Sequence, residues 1–393
     1  MKFRFQNTTK VYFGDETLEN LAPELLNFGK KVLLVYGGGS IKKNGLYDKI
    51  TSNLKNSGIE FFELSGVEPN PRHTTVNKGV KICRENNIKA ILAVGGGSTI
   101  DCSKGISATV FSKTDNVWDL VEGKYPIEKT LPIVTILTLS ATGSEMDTGA
   151  VLSNMDLNIK SGLMHENIRP KVSFEDPKIT YSVSKYQTAS GSVDIMSHIF
   201  DVAYLSKQKQ MDMLVNIQEE VLKTVIKYTP IALDNPSDYD ARANLMWASS
   251  WALNDFMYCG VMQSPILHAI EHELSAFYDI THGHGLAILT PNYLRYIIND
   301  ETAPVIYRLG VNCLNVKSGL EAKEGAKLTA DALAKLYFET FGLPSKLSDL
   351  GIDDSKFEVM AHNCCNGFFG QGKLSALATL EEKDVVEILK MSL

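Results

Sequence analysis

Eight histidines occur in the 393 residues, and four of them fall in one stretch: His268, His272, His282 and His284. Upstream, Asp194 and His198 stand four positions apart, which on a helix puts a carboxylate and an imidazole on one face. His268 and His272 repeat that spacing. A carboxylate and several imidazoles presented from rigid helices make an oxygen and nitrogen donor set that suits a divalent transition metal. Taken singly, each of these histidines reads as a satisfied core or helix-end residue; the metal reading rests on the group. The HExxH pattern is absent, which argues against a zinc peptidase of that type.

A second kind of chemistry is written in glycine. Gly37-Gly38-Gly39-Ser40 and Gly95-Gly96-Gly97-Ser98 each close an apolar β-rich run. The second continues as Thr99-Ile100-Asp101-Cys102-Ser103-Lys104, which reads as a helix start. Glycines let a backbone approach a phosphate, and a helix N-terminus offers unbonded N–H groups and a favourable dipole. Neither loop is a GxGxxG fingerprint or a Walker loop, and tight strand-to-helix turns are the plain alternative. The pair of loops favours a nucleotide, with Asp101 placed beside it. A third polar segment, Thr138 to Glu145, offers the Thr138 and Thr142 hydroxyls to an adenine or a nicotinamide phosphate.

The elements around these residues define a fold class. In the first half, apolar runs at 31–39, 59–67, 89–98 and 131–139 alternate with helical patterns at 45–58 and 73–87. Continuous Val, Ile and Leu runs separated by helices predict a parallel, doubly wound sheet. After residues 176–184 the pattern turns helical, with helices expected over 211–228, 241–258 and 264–277. The expected organisation is α/β plus all-α: a dinucleotide-binding domain over 1–185 and a helical metal-binding domain over 186–393, sharing a cleft. The segment Thr9–Gly14 has strand character and can pair across a two-fold axis.

Composition narrows the partners. A formal net charge of -7 argues against nucleic acid, since no basic excess is present to neutralise a phosphate backbone. No apolar run approaches the roughly 18 residues of a membrane helix, and the N-terminus lacks the apolar core of a signal peptide. Six cysteines without a CxxC pair read as reduced thiols in a cytoplasmic protein. Cys102, beside a glycine loop, is either reactive or an inert buried thiol.

The chain resembles the iron-containing (group III) alcohol dehydrogenases, and within them the NADPH-dependent butanol dehydrogenase and aldehyde reductase branch. The resemblance runs over nearly the whole chain. It rests on Gly95 through Lys104, on Thr138 to Glu145, on Ser190 to His198, and on His268 through Gly283. It implies a dehydroquinate synthase-like architecture with a Rossmann-type N-terminal domain and a helical C-terminal domain. It also implies metal ligation by Asp194, His198, His268 and His282. A homo-oligomer, most simply a homodimer, is expected mainly from this resemblance. His272 matches a histidine beside the metal that does not ligate it, and is either a proton relay or a prop. Lys160 matches a lysine that approaches the nicotinamide end. His284 carries no implied role, and Asp201 stands where many relatives have Glu.

One carboxylate and three neutral imidazoles leave a divalent ion with a net charge of about +1, which stabilises an alkoxide or polarises an aldehyde. Hydride then passes to or from a nicotinamide. The donor set accepts Fe(II), Zn(II), Co(II) or Mn(II). In NAD-preferring relatives an Asp follows the first buried strand; here Gly39 takes that place, with Ser40, Lys42 and Lys43 nearby, so NADP(H) is expected. The expected substrates are short-chain primary alcohols such as butanol and their aldehydes. A glycerol-type polyol dehydrogenase and a catalytically lapsed structural metalloprotein are the rivals. Trp247, Trp251 and Phe256 either line the substrate pocket or belong to the core.

Overall fold

The computed structural model describes residues 2–393. The chain divides into two compact units: Gln6–Val183, and Ser184–Leu393 together with residues 2–5.

The first unit is built on a six-stranded sheet. Its strands are β1 (Lys10–Phe13), β2 (Lys31–Tyr36), β3 (Glu60–Leu64), β4 (Ala90–Gly95) and β5 (Ile133–Leu137), with β8 (Val172–Glu175) after the hairpin β6 (Gly149–Asn154) and β7 (Ile159–Met164). The sheet order is β1-β8-β5-β4-β2-β3, and every pairing in it is parallel. The central strands read as unbroken apolar runs because both faces are covered. Leu33, Val35 and Ile91 pack with Val76, Val80 and Ile106 on one side, while Val32, Leu34 and Leu92 pack with Leu25, Ile50 and Leu54 on the other.

The register positions the loops. Tyr36 lies beside Val94, and Gly95 beside Leu137. The segments after β2, β4 and β5 therefore leave from one edge of the sheet, the carboxyl end where open α/β sheets bind ligands. The hairpin of β6 and β7 and the strand β8 have no counterpart in the sequence reading.

The second unit is helical around a single apolar core. Its helices include Lys185–Ile199, Asp212–Asp234, Tyr239–Ala252, Ile266–Tyr278 and His282–Ile297. The helix expected over 241–258 stops at Ala252. The chain breaks there into a loop in which Asp255 adopts φ 73°, a left-handed conformation that ends a right-handed helix. No helix among the described residues is long and apolar enough to cross a membrane.

Candidate active site

Three helices of the second unit carry the donor groups. Lys185–Ile199 opens on Ser184, whose hydroxyl accepts the Gln187 amide at 3.2 Å, an N-cap that satisfies one of the unbonded first-turn amides. Asp194 and His198 sit one turn apart near its end, both buried. His268 and His272 lie one turn apart on Ile266–Tyr278, and His282 is the first residue of His282–Ile297.

These five side chains converge. The Asp194 carboxylate Oδ1 stands 3.8 Å from His198 Nε2 and 3.6 Å from His282 Nε2. The rings of His198 and His268 stack with centroids 4.9 Å apart, and those of His268 and His282 are 5.3 Å apart. Donor atoms of Asp194, His268 and His282 all lie within 4.8 Å of one another. A second trio, Glu271, His272 and His282, meets the same spacing. In that trio His282 Nδ1 already meets Glu271, whereas the first trio is extended by His198.

One observation tests whether a metal fits. His268 Nε2 is buried and has no hydrogen-bond partner, while His268 Nδ1 is held by Asp201 at 2.9 Å. A buried imidazole nitrogen left unsatisfied costs on the order of 1–3 kcal/mol unless an ion takes its lone pair. The donor set is one carboxylate and three imidazoles, so the residues fit a divalent transition ion. Burial and the neighbouring His268 and His282 rings hold His198 well below its usual pKa, which keeps that imidazole neutral. His268 is pushed up: burial opposes its charge, but the bond to Asp201 and the charges of Asp201, Asp194 and Glu271 outweigh it.

The remaining histidines divide clearly. His272 is buried, its ring 5.6 Å from that of His282 and 5.6 Å from Phe369. His284 is fully buried with both nitrogens engaged, Nδ1 with the Tyr186 hydroxyl at 3.0 Å and Nε2 with the Pro344 carbonyl at 2.9 Å. It stitches the fold and has no lone pair left for an ion. Sequence reading noted Asp201 but gave it no role at the site, and missed Glu271; they bond to His268 and His282.

In the first unit, the two glycine loops differ. A β-carbon at Gly95 would meet the Thr99 hydroxyl at 2.3 Å, and one at Gly97 would meet the Thr142 hydroxyl at 2.3 Å. These glycines let the Gly97–Thr109 helix and the Thr138–Glu145 segment close on the end of β4. Gly38 and Gly39 instead face open space, Gly39 at φ 99°. Ser98 donates its hydroxyl to the Pro69 carbonyl, and the Thr138 amide donates to the Gly95 carbonyl at 3.1 Å.

Asp101 accepts from the Ser144 hydroxyl at 2.5 Å and the Val151 amide at 2.9 Å. Its two oxygens thus tie the loop before β6 to β6 itself, and burial pushes its carboxyl up to about 6. Lys160 is buried on β7. The fully buried Lys104, also missed, pairs with Asp147 and donates to the Gly149 carbonyl at 2.7 Å. Cys102 is buried and its thiol is pushed up by burial, so it is inert. All six cysteines are unbridged and buried. Trp247, Trp251 and Phe256 form an edge-to-face run with centroid separations of 5.8 and 5.6 Å.

A parallel α/β unit with glycine loops at its strand ends and a helical unit with a carboxylate–histidine cluster define a metal-dependent dehydrogenase. The chain belongs to the iron-containing alcohol dehydrogenase family, matching its description over residues 8–177 and the family's C-terminal description over 188–393. Its fold is of the dehydroquinate synthase-like kind. It is an alcohol dehydrogenase of that family, which binds a divalent metal and a nicotinamide cofactor. It is 48% identical to the NADH-dependent butanol dehydrogenase A of Clostridium acetobutylicum, covering 100% of both chains. It is 33% identical to the NADPH-dependent aldehyde reductase YqhD of Escherichia coli, over 91% of each. The crystal structure of the NADH-dependent butanol dehydrogenase A of Thermotoga maritima superposes with a TM-score of 0.93 at 37% identity, covering 100% of this chain and 98% of that one.

Proposed function

We propose that the chain interconverts short primary alcohols, such as butanol, and their aldehydes with NADP(H), and that Asp194, His198, His268 and His282 hold the metal. The observation that carries this reading is the convergence of three imidazoles on one buried carboxylate, with His268 Nε2 left without a protein partner.

When bound, a divalent ion supplies the positive charge that favours an alkoxide over an alcohol. The nicotinamide supplies the hydride. The chain's own residues do the rest. Asp194 contributes the single negative charge of the donor set, and burial of His198 and His268 keeps water from competing for them. His272, adjacent to His282 and outside the donor set, moves the proton. Backbone amides at Gly37 to Ser40 and at Gly95 to Ser98 receive the cofactor's phosphates, with Thr138, Thr142 and Lys160 near its other end and Asp101 bracing the loop from behind.

Support for NADP(H) comes from β2 and its loop. Gly39 brings no carboxylate to the position that excludes a 2′-phosphate. The acid on the neighbouring strand, Glu63, accepts from the Tyr36 hydroxyl at 2.6 Å and the Tyr47 hydroxyl at 2.8 Å. Lys42 lies over both of those rings, at 5.2 and 4.7 Å. The names of the relatives run both ways, NADH for the butanol dehydrogenases and NADPH for the aldehyde reductase.

A cytoplasmic homodimer is part of the same proposal, since β1 is paired on one side only and an open edge favours a partner strand. Metal analysis of protein purified without chelator, with butyraldehyde reduction followed separately with NADPH and NADH, tests the reading. His282→Ala should lose the metal and keep NADPH binding, whereas His272→Ala should keep the metal and lose turnover by roughly 100-fold or more. Full metal and activity in His282→Ala would overturn the ligand set, and faster turnover with NADH would overturn the cofactor assignment.

A further inference from the structure

We propose that Asp201 and Glu271 are positioning carboxylates, which lock His268 and His282 in the tautomer that turns Nε2 toward the metal. This rests on the ligand set proposed above and adds the two residues that aim it.

Asp201 follows His198 in a π-helical turn, Phe200–Tyr204, that continues the Lys185–Ile199 helix. Such a turn adds a residue to the helical circuit and often marks a functional site. Its carboxylate reaches the start of the Ile266–Tyr278 helix. That helix follows Pro265 and has no side-chain cap of its own, so its first amides need outside acceptors. Asp201 Oδ1 accepts from the Leu267 amide at 3.0 Å, and Oδ2 accepts from the His268 amide at 2.8 Å and from His268 Nδ1 at 2.9 Å. One carboxylate thus caps the helix and fixes the ring of the histidine in its first turn. With the proton held on Nδ1, the His268 lone pair lies on Nε2, the buried atom without a partner.

Glu271 does the same for His282. It is fully buried; one oxygen accepts from the Ser275 hydroxyl at 2.5 Å, and the other meets His282 Nδ1. The opposite nitrogen of His282 faces Asp194 at 3.6 Å. Room for Glu271 is made by Gly285, where a β-carbon would lie 2.8 Å from Glu271 Cγ and 3.1 Å from Oε1. Two residues on separate helices therefore make the same contact, a carboxylate on the Nδ1 of a histidine. His198 Nδ1, by contrast, has no partner. A carboxylate on the far nitrogen fixes tautomer and ring orientation and makes the imidazole a stronger donor; losing such a partner typically costs about 10–100-fold in metal affinity.

The test is zinc affinity of chelator-stripped protein, titrated with Zn(II) against a chromophoric competitor, for Asp201→Asn, Glu271→Gln and His282→Ala. Each amide keeps the shape of its acid and removes the charge. Zinc affinity should fall by about 10–100-fold in both amide variants. Nitrogen-15 spectra of the zinc-free protein should show the proton leaving Nδ1 for Nε2 on the paired histidine, a change that a purely structural role would not produce. Because Asp201 also caps a helix, Glu271→Gln decides the matter if Asp201→Asn fails to fold. Unchanged zinc affinity and tautomers in Glu271→Gln, with zinc lost in His282→Ala, would overturn the positioning role and leave the ligand set standing. Zinc bound at full strength by His282→Ala would overturn both.

Discussion

Gly283 and Ser190 approach so closely that a β-carbon on the first would lie 2.0 Å from the carbonyl oxygen of the second. No rotamer change relieves a clash with backbone, so the contact forces glycine at 283. It lets the start of the His282–Ile297 helix lie against the turn that precedes Asp194, which brings His282 within reach of that carboxylate. Gly283→Ala should lower stability by about 1–3 kcal/mol or more and loosen metal binding at the same time. Urea unfolding with and without chelator checks it: a variant with the parent's midpoint in both conditions would show that the helices separate without penalty.

The cofactor assignment is best tested at Gly39. An Asp there should repel a 2′-phosphate and cut kcat/KM for NADPH by at least about tenfold, or roughly 1.4 kcal/mol. Gly39 has φ 99°, a conformation that strains any residue with a β-carbon. Gly39→Asn carries the same strain without the charge. The expected outcome is a loss with NADPH that is larger in Gly39→Asp than in Gly39→Asn, and near equality of the two variants with NADH. Parallel losses with both cofactors would assign Gly39 to the turn alone.

Glu273 gives the helical unit a pH dependence. Burial pushes its carboxyl up to about 7, against the opposing bond from the Asn363 amide at 3.1 Å. The folded state therefore holds this proton over a range in which the unfolded chain has released it. The stability contributed is fully present below the ordinary glutamate value near 4.5 and is lost as pH rises through about 7. Its size is on the order of 3 kcal/mol. Glu273→Gln should be more stable than the parent at pH 8 and differ little from it at pH 4.5. Denaturation midpoints at the two pH values decide it; a gap that does not change with pH would mean that Glu273 stays charged.

The buried pair of Lys104 and Asp147 should behave as a unit. Asp147→Ala leaves the Lys104 ammonium buried without its counter-charge, a change that typically costs about 3–5 kcal/mol. Lys104→Met combined with Asp147→Leu removes both charges and should be less destabilised than Asp147→Ala alone. Additive losses in urea melts would show that the two residues do not depend on each other.

The fold was legible wherever one residue's character repeated along the chain. Buried runs such as Val32–Val35 and Ile91–Val94 mark parallel strands because both sheet faces demand apolar side chains. The hairpin of β6 and β7 was hidden because its residues, Ser153, Lys160 and Ser161 among them, are polar yet buried, so no alternation shows. Asp194, His198, His268 and His282 could be read because donors four apart or crowded in one stretch are rare by type. Asp201 and Glu271 could not. A lone acid on an apolar helix reads as a solvated face, and only the fold shows that its partner is an imidazole on another helix. The glycine triplets look alike in sequence but do different work, packing at Gly95 and Gly97 and open backbone at Gly38 and Gly39. The difference lies in Thr99 and Thr142, neighbours that spacing alone does not reveal.

The helical unit takes in both the beginning of the chain and its second half, and Phe5 rests edge to face on Phe256 with ring centroids 5.5 Å apart. On a ribosome, the α/β unit can finish while Phe5 waits for a partner that has not yet been made. A protease that nicks once between Val183 and Ser184 would leave the α/β unit whole but split the helical one, because the first fragment keeps Phe5 and the second the surface it covers.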